Sequence, residues 1–117
     1  MNYKKIEQNI DLNDPEGGFC YHSNDNQSVI LSFVDWRNRN IVFKFHTVYL
    51  FLHQLANGYK GLPEATVLEI TDSEVIKKLR EDSTASTQET LHHYVVSTNE
   101  DEWCEIVAEK YELEGNA

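Results

Sequence analysis

VILSFVDWRNRNIVFKF, residues 29–45, decides the fold. Val29, Leu31 and Phe33 recur at every second position before the polar run Arg37-Asn38-Arg39-Asn40, and Ile41, Phe43 and Phe45 do the same after it. That period of two on both sides of a turn is the signature of a half-buried β-hairpin. Putting both odd-numbered apolar rows on one face needs a loop of odd length. A three-residue loop, Arg37-Asn38-Arg39, would pair Phe33 with Phe43 and Leu31 with Phe45, with Asn38 or Arg39 left-handed. A two-residue turn would set Phe43 opposite Val34 instead.

Upstream, Phe19 to Ser23 reads as a short strand between two clusters of turn residues, Asp14-Pro15-Glu16-Gly17-Gly18 and Asn24-Asp25-Asn26. Downstream, Thr47 to Asn57 supports two readings. Val48, Phe51, Leu52 and Leu55 fit helical spacing, but Val48, Tyr49 and Phe51 favour a strand that runs on from Phe45 past a bulge, and the strand is preferred. Thr66 to Ile70 is a further strand. Thr71-Asp72-Ser73-Glu74 then reads as a capping box that starts a short helix near residues 73–80, with acidic first-turn and basic last-turn residues that suit the helix dipole. Glu81 to Glu89 is Ser/Thr-rich and is expected to be a mobile loop. In the last third, His93 to Ser97, a polar tip from Thr98 to Glu102, and Trp103 to Leu113 suggest a second hairpin. A helix from Asp101 competes, since Trp103, Ile106, Val107 and Tyr111 also match helical spacing, though Asp101, Glu105 and Glu109 would then repel at i,i+4. The expected architecture is one α+β domain over residues 1–117: a mainly antiparallel sheet of about six strands with one short helix.

Residues 1–58 hold six Asp/Glu against five Lys/Arg, and residues 59–117 hold fourteen against five, so nine of the ten net negative charges lie in the second half. Seven carboxylates fall between Glu100 and Glu114, against Lys110 alone. Such a field opposes binding to phosphate backbones, whose affinity comes largely from Lys and Arg, and to anionic membranes. It favours a basic protein partner, which it would steer on approach, although an acidic surplus also serves solubility. The charged start, Met1 to Glu7, carries no apolar leader and no stretch is long enough to span a membrane, so a cytoplasmic location with reduced Cys20 and Cys104 is expected.

No cofactor or metal motif is legible. The five histidines lack zinc-ligand spacing, neither CxxC nor HExxH occurs, and there is no GxSxG elbow. Cys20 and His22 would share a strand face but lack the cationic setting of a reactive thiolate. Catalysis is therefore not expected. Asp35-Trp36, at the edge of the first hairpin, and Trp103, beside the acidic tip, are aromatic anchors of the kind found at binding hot spots, or else covers for the ends of the core.

Ser32-Phe33-Val34-Asp35-Trp36 with Ile41-Val42-Phe43, Ile70 to Ile76, and His93-Tyr94-Val95-Val96 with Ile106-Val107-Ala108 resemble, in cadence and strand order, small acidic bacterial immunity proteins of contact-dependent or polymorphic toxin systems. The resemblance implies a β-rich inhibitor that masks a cognate toxin domain, often a basic nuclease, sterically and electrostatically. The expected partner-binding residues are Glu100, Asp101, Glu102 and Trp103, then Glu81 and Asp82, with Asp35 and Trp36. A protein-binding module or accessory subunit of a cellular complex is the alternative.

Overall fold

The computed structural model describes residues 1–24, 27–82 and 90–115. Its strands are β1 (Tyr3–Ile6), β2 (Cys20–Asn24), β3 (Ser28–Val34), β4 (Asn40–Leu55), β5 (Val67–Ile70), β6 (His92–Ser97) and β7 (Glu102–Gly115), with one helix, α1 (Glu74–Glu81), between β5 and β6. They form one sheet in the order β1-β5-β6-β7-β4-β3-β2, with every neighbouring pair antiparallel. The strand count is seven rather than about six. β1 escapes sequence reading because Tyr3, Lys4 and Lys5 are exposed and the segment shows no apolar alternation. It is an edge strand whose two lysines discourage further pairing.

In the β3–β4 hairpin the odd-numbered rows do share a face, but the register differs from the expected one by two residues: Phe33 pairs with Ile41, Leu31 with Phe43 and Val29 with Phe45. Asp35 causes the difference. Its N–H donates to the Arg39 carbonyl and its own carbonyl accepts from Asn38 N–H, both at 2.9 Å, so the loop is Trp36-Arg37-Asn38. Asn38 takes the left-handed conformation at φ 64°. An aspartate at the first position of such a turn bonds the following N–H groups, which favours closure at Asp35 over closure one residue later.

β4 continues as a strand to Leu55, past Thr47 at φ 57° and a register shift between Val48 and Leu50. β7 is likewise a strand. The helical alternative arose there because the strand is buried on both sides: Cys104, Ile106 and Ala108 join one core while Trp103 and Val107 join the clusters opposite. A strand covered on both faces loses its alternation and can mimic helical spacing. α1 also starts later than a capping box at Thr71 would allow. Thr71 N–H still extends the sheet by donating to the Asn2 carbonyl at 2.9 Å, so the cap falls to Ser73, whose Oγ accepts from Ile76 N–H at 3.1 Å. The expected loop from Glu81 to Glu89 lies largely outside the described residues; Glu81 closes α1 and Asp82 caps it.

One face of the sheet carries an aromatic core of Phe33, Phe43, Phe45, Tyr94 and their aliphatic neighbours. Leu12 and Phe19 close it from the segment between β1 and β2. Since β1 and β2 are the two edges of the sheet, that segment crosses the whole face. On the other face Tyr59 and Leu62, from the β4–β5 connection, cover Leu68, Val95 and Trp103, and Val75, Ile76 and Leu79 of α1 pack beside Val107.

Candidate protein-binding surface

Three of the eight expected contact residues belong to the interior. Trp103 is buried in the cluster under Tyr59, with its indole N–H donating to the Ala56 carbonyl at 3.0 Å. Glu102 is buried as well, accepting from Phe19 N–H at 2.8 Å and lying 2.7 Å from His53 Nε2. Asp35 is 1% exposed and serves the hairpin turn: it accepts from the N–H groups of Arg37 and Arg39 at 3.0 and 2.8 Å and from Arg39 Nε at 2.7 Å. Burial pulls its carboxyl upward, but these bonds from Arg39 and Arg37 outweigh it and hold the group below the usual aspartate range. Glu81 and Asp82 are exposed and share a shallow depression with Glu74, Lys77 and Lys78, whose two cations offset part of the charge.

The remaining candidates, Trp36, Glu100 and Asp101, lie on two hairpin tips that are both tied to residues 11–16, of which the sequence marks only Asp14 to Glu16 as part of a turn. The β3–β4 and β6–β7 hairpin tips sit at opposite ends of the β4–β7 ladder, where Ile41 pairs with Gly115 and Leu55 with Glu102. Residues 11–16 join them. Trp36 Nε1–H donates to Asp11 Oδ2. Three residues on, Asp14 N–H donates to Asn99 Oδ1 at 2.8 Å and Asn99 Nδ2 donates back to Asp14 Oδ1 at 3.0 Å. Glu16 N–H donates to the Val34 carbonyl at 2.8 Å. Three residues of chain span at most about 11 Å, so one short segment holds both tips.

The segment and the two tips present exposed Asp14, Glu16 and Glu100, half-buried Asp11 and Asp101, and Trp36, which is 49% exposed and bonded to Asp11. Arg37, itself exposed, lies 4.7 Å from the centre of the indole ring in a cation–π contact and sets one positive charge beside these carboxylates. The indole N–H, followed by the Asn13 N–H, holds the Asp11 carboxyl below its usual range, so it stays ionised. Chemically this is an aromatic anchor rimmed by carboxylates. Of the missed residues, Asp14 and Glu16 stood in the sequence as acids within a turn cluster and Asp11 carried no signal, and their partners lie up to 85 residues away.

A separate polar cluster lies on the opposite face, beside α1. Glu105 is 2% exposed, with His93 Nε2 at 2.7 Å, Lys60 Nζ at 3.1 Å, and the Tyr59 hydroxyl donating to Oε2. Burial alone would raise its pKa, but the bonds from His93, Tyr59 and Lys60 pull it down to about 2. Burial and the Glu105 charge push the Tyr59 phenol up in turn. On its other side His93 Nδ1 lies 2.7 Å from Ser73 Oγ. Cys20 is exposed on β2 and Cys104 is buried, both as free thiols, with burial raising the Cys104 pKa. Among the described residues no group of three or more His, Cys, Asp or Glu could hold a metal ion, and no helix is long and apolar enough to cross a membrane.

No protein-family model matches the chain, and no curated protein and no solved structure matches it either.

Proposed function

We propose that this chain binds a basic protein through the surface formed by residues 11–16, the Trp36 turn and the Glu100-Asp101 tip, and that it serves as an immunity protein masking a cognate toxin domain. The observation that carries the reading is the bridge from Asp11 to Asp14, which gathers an exposed tryptophan and five carboxylates from three separate parts of the chain. An anchor inside a rim of charge is the arrangement that gives fast, steered association and a slow dissociation set by the buried aromatic. Carboxylates in such a rim occupy the positions where a nuclease would otherwise hold phosphates.

The test is binding to the product of the neighbouring upstream gene, measured by surface plasmon resonance at low and at physiological salt. Glu100→Lys with Asp101→Lys should lower the association rate about tenfold or more and flatten its salt dependence. Trp36→Ala should act mainly on dissociation. Absence of both binding and protection against that product would sink the immunity reading. Capture of a basic cellular protein by the same surface would instead support the accessory-subunit alternative.

A further inference from the structure

Ser73, His93 and Glu105 form a continuous relay. Ser73 Oγ lies 2.7 Å from His93 Nδ1, and His93 Nε2 lies 2.7 Å from Glu105 Oε1. The three come from the β5–α1 junction, β6 and β7, so only the sheet order brings them into line. Nucleophile, base and orienting acid within hydrogen-bond reach are the defining geometry of an activated serine, whatever the fold or chain order. The ring is used in the sense Nδ1 to serine and Nε2 to acid; either imidazole nitrogen can take a proton. In the tautomer whose Nε2–H donates to Glu105, Nδ1 carries the lone pair that would take the serine proton. Lys60 and Tyr59 hold the carboxylate from its other sides, which fixes the orientation of the imidazole.

Ser73 and His93 also line a cavity of about 320 Å³, with Lys60, Ile70, Asp72 and Glu74 among its walls. Ser73 is half-buried and part of that lining. As the N-cap of α1 it precedes the N–H groups of Glu74 and Val75, which have no intrahelical partner by their position in the first turn. Donors aimed beside a serine are what a tetrahedral oxyanion requires.

We propose that Ser73 is an acyl-accepting nucleophile and that the chain carries a small ester-cleaving centre, with His93 as general base and Glu105 as its positioning residue. Ser73 Oγ attacks the ester carbonyl carbon while its proton passes to His93 Nδ1, and the oxyanion faces the Glu74 and Val75 N–H groups. Collapse expels the alcohol, which takes the proton back from His93. Water then adds to the acyl-serine, giving its proton to His93, and the carboxylic acid leaves as Ser73 is reprotonated. Lys60 is committed to Glu105, so Asp72 and Glu74 set the charge of the cavity and disfavour anionic substrates, and the class is a neutral or cationic ester. This centre is independent of the proposed binding surface, and either can fail without the other.

The test uses an uncharged fluorophosphonate probe on the full chain, with intact mass and peptide mapping. The expected result is one adduct, on Ser73, that is absent from the urea-unfolded protein. Ser73→Asn keeps a capping acceptor while removing the nucleophile, and should stay folded and unlabelled. His93→Gln should slow labelling by about 100-fold or more. Glu105→Gln should change the pH profile of labelling rather than only its yield. A folded wild-type chain left unlabelled at Ser73 overturns the proposal, as does labelling of His93→Gln at the wild-type rate. Should His93→Gln fail to fold, the comparison of folded and unfolded wild-type chain decides.

Discussion

Gly18 is constrained by a carboxylate rather than by a turn. A Cβ built there would sit 3.1 Å from Glu102 Oε2, and that oxygen cannot retreat because Phe19 N–H and His53 hold the carboxyl group in place. Gly18→Ala should therefore destabilise the fold by roughly 1–3 kcal/mol in urea denaturation, the usual cost of overpacking a fixed neighbour. An unchanged midpoint would show that the carboxylate is free to move. Glu105 makes a second prediction through its pKa. The folded value, about 2, lies below the ordinary 4.5, so the stability it contributes is complete above about pH 4.5 and is lost as pH falls toward 2. Glu105→Gln should cost about 3 kcal/mol near neutrality, as for a broken buried pair, and should flatten the acid limb of the stability curve. Urea midpoints from about pH 5 down to about pH 2.5 would check both. The sequence showed Glu105 as one acid among many. Its burial depends on Lys60 arriving from the β4–β5 connection and His93 from β6, which no local pattern reports.

At the scale of elements, α1 offers a direct comparison of two caps. Ser73→Ala should lower stability by about 1 kcal/mol, because the Ile76 N–H loses its acceptor, whereas Thr71→Ala should fall within about 0.5 kcal/mol of wild type. Thermal denaturation of the two variants distinguishes a helix that starts at Ser73 from one that starts at Thr71. Both residues were legible as capping types; the choice between them was not. Thr71 is taken by the β1–β5 ladder, and β1 has no sequence signature of its own. The same holds for the first hairpin. Its parity followed from the alternation of Val29, Leu31 and Phe33, but its register followed from the Asp35 carboxylate bonding into the loop. The Thr98 tip repeats that pattern: Thr98 N–H donates to the Glu102 carbonyl, Thr98 Oγ1 accepts from Glu100 N–H, and Asp101 is left-handed at φ 62°.

For the whole molecule, the decisive feature is the N-terminal segment that starts in one edge strand and enters the other after crossing the aromatic core. Removing residues 1–6 would strip β1 from β5 and leave Val67–Ile70 as an edge with Glu69 as its only charge. The expected outcome is a loss of roughly 2–4 kcal/mol, about 1 per ladder hydrogen bond removed, together with self-association visible by light scattering. A monomer of wild-type stability would contradict it. The sequence by itself determined the parity of the first hairpin, the position of the helix within a few residues and the acidic balance of the second half, while it favoured strands over helices at Thr47–Asn57 and Trp103–Leu113 without deciding between them. Those rest on local periodicity, turn chemistry and charge, which act between near neighbours. Only the tertiary structure decided which acids are surface and which are core, that residues 11–16 tie the two hairpin tips together, and that Ser73, His93 and Glu105 align. Each of these depends on partners many residues apart, whose meeting is set by strand order and by which face of the sheet a side chain enters.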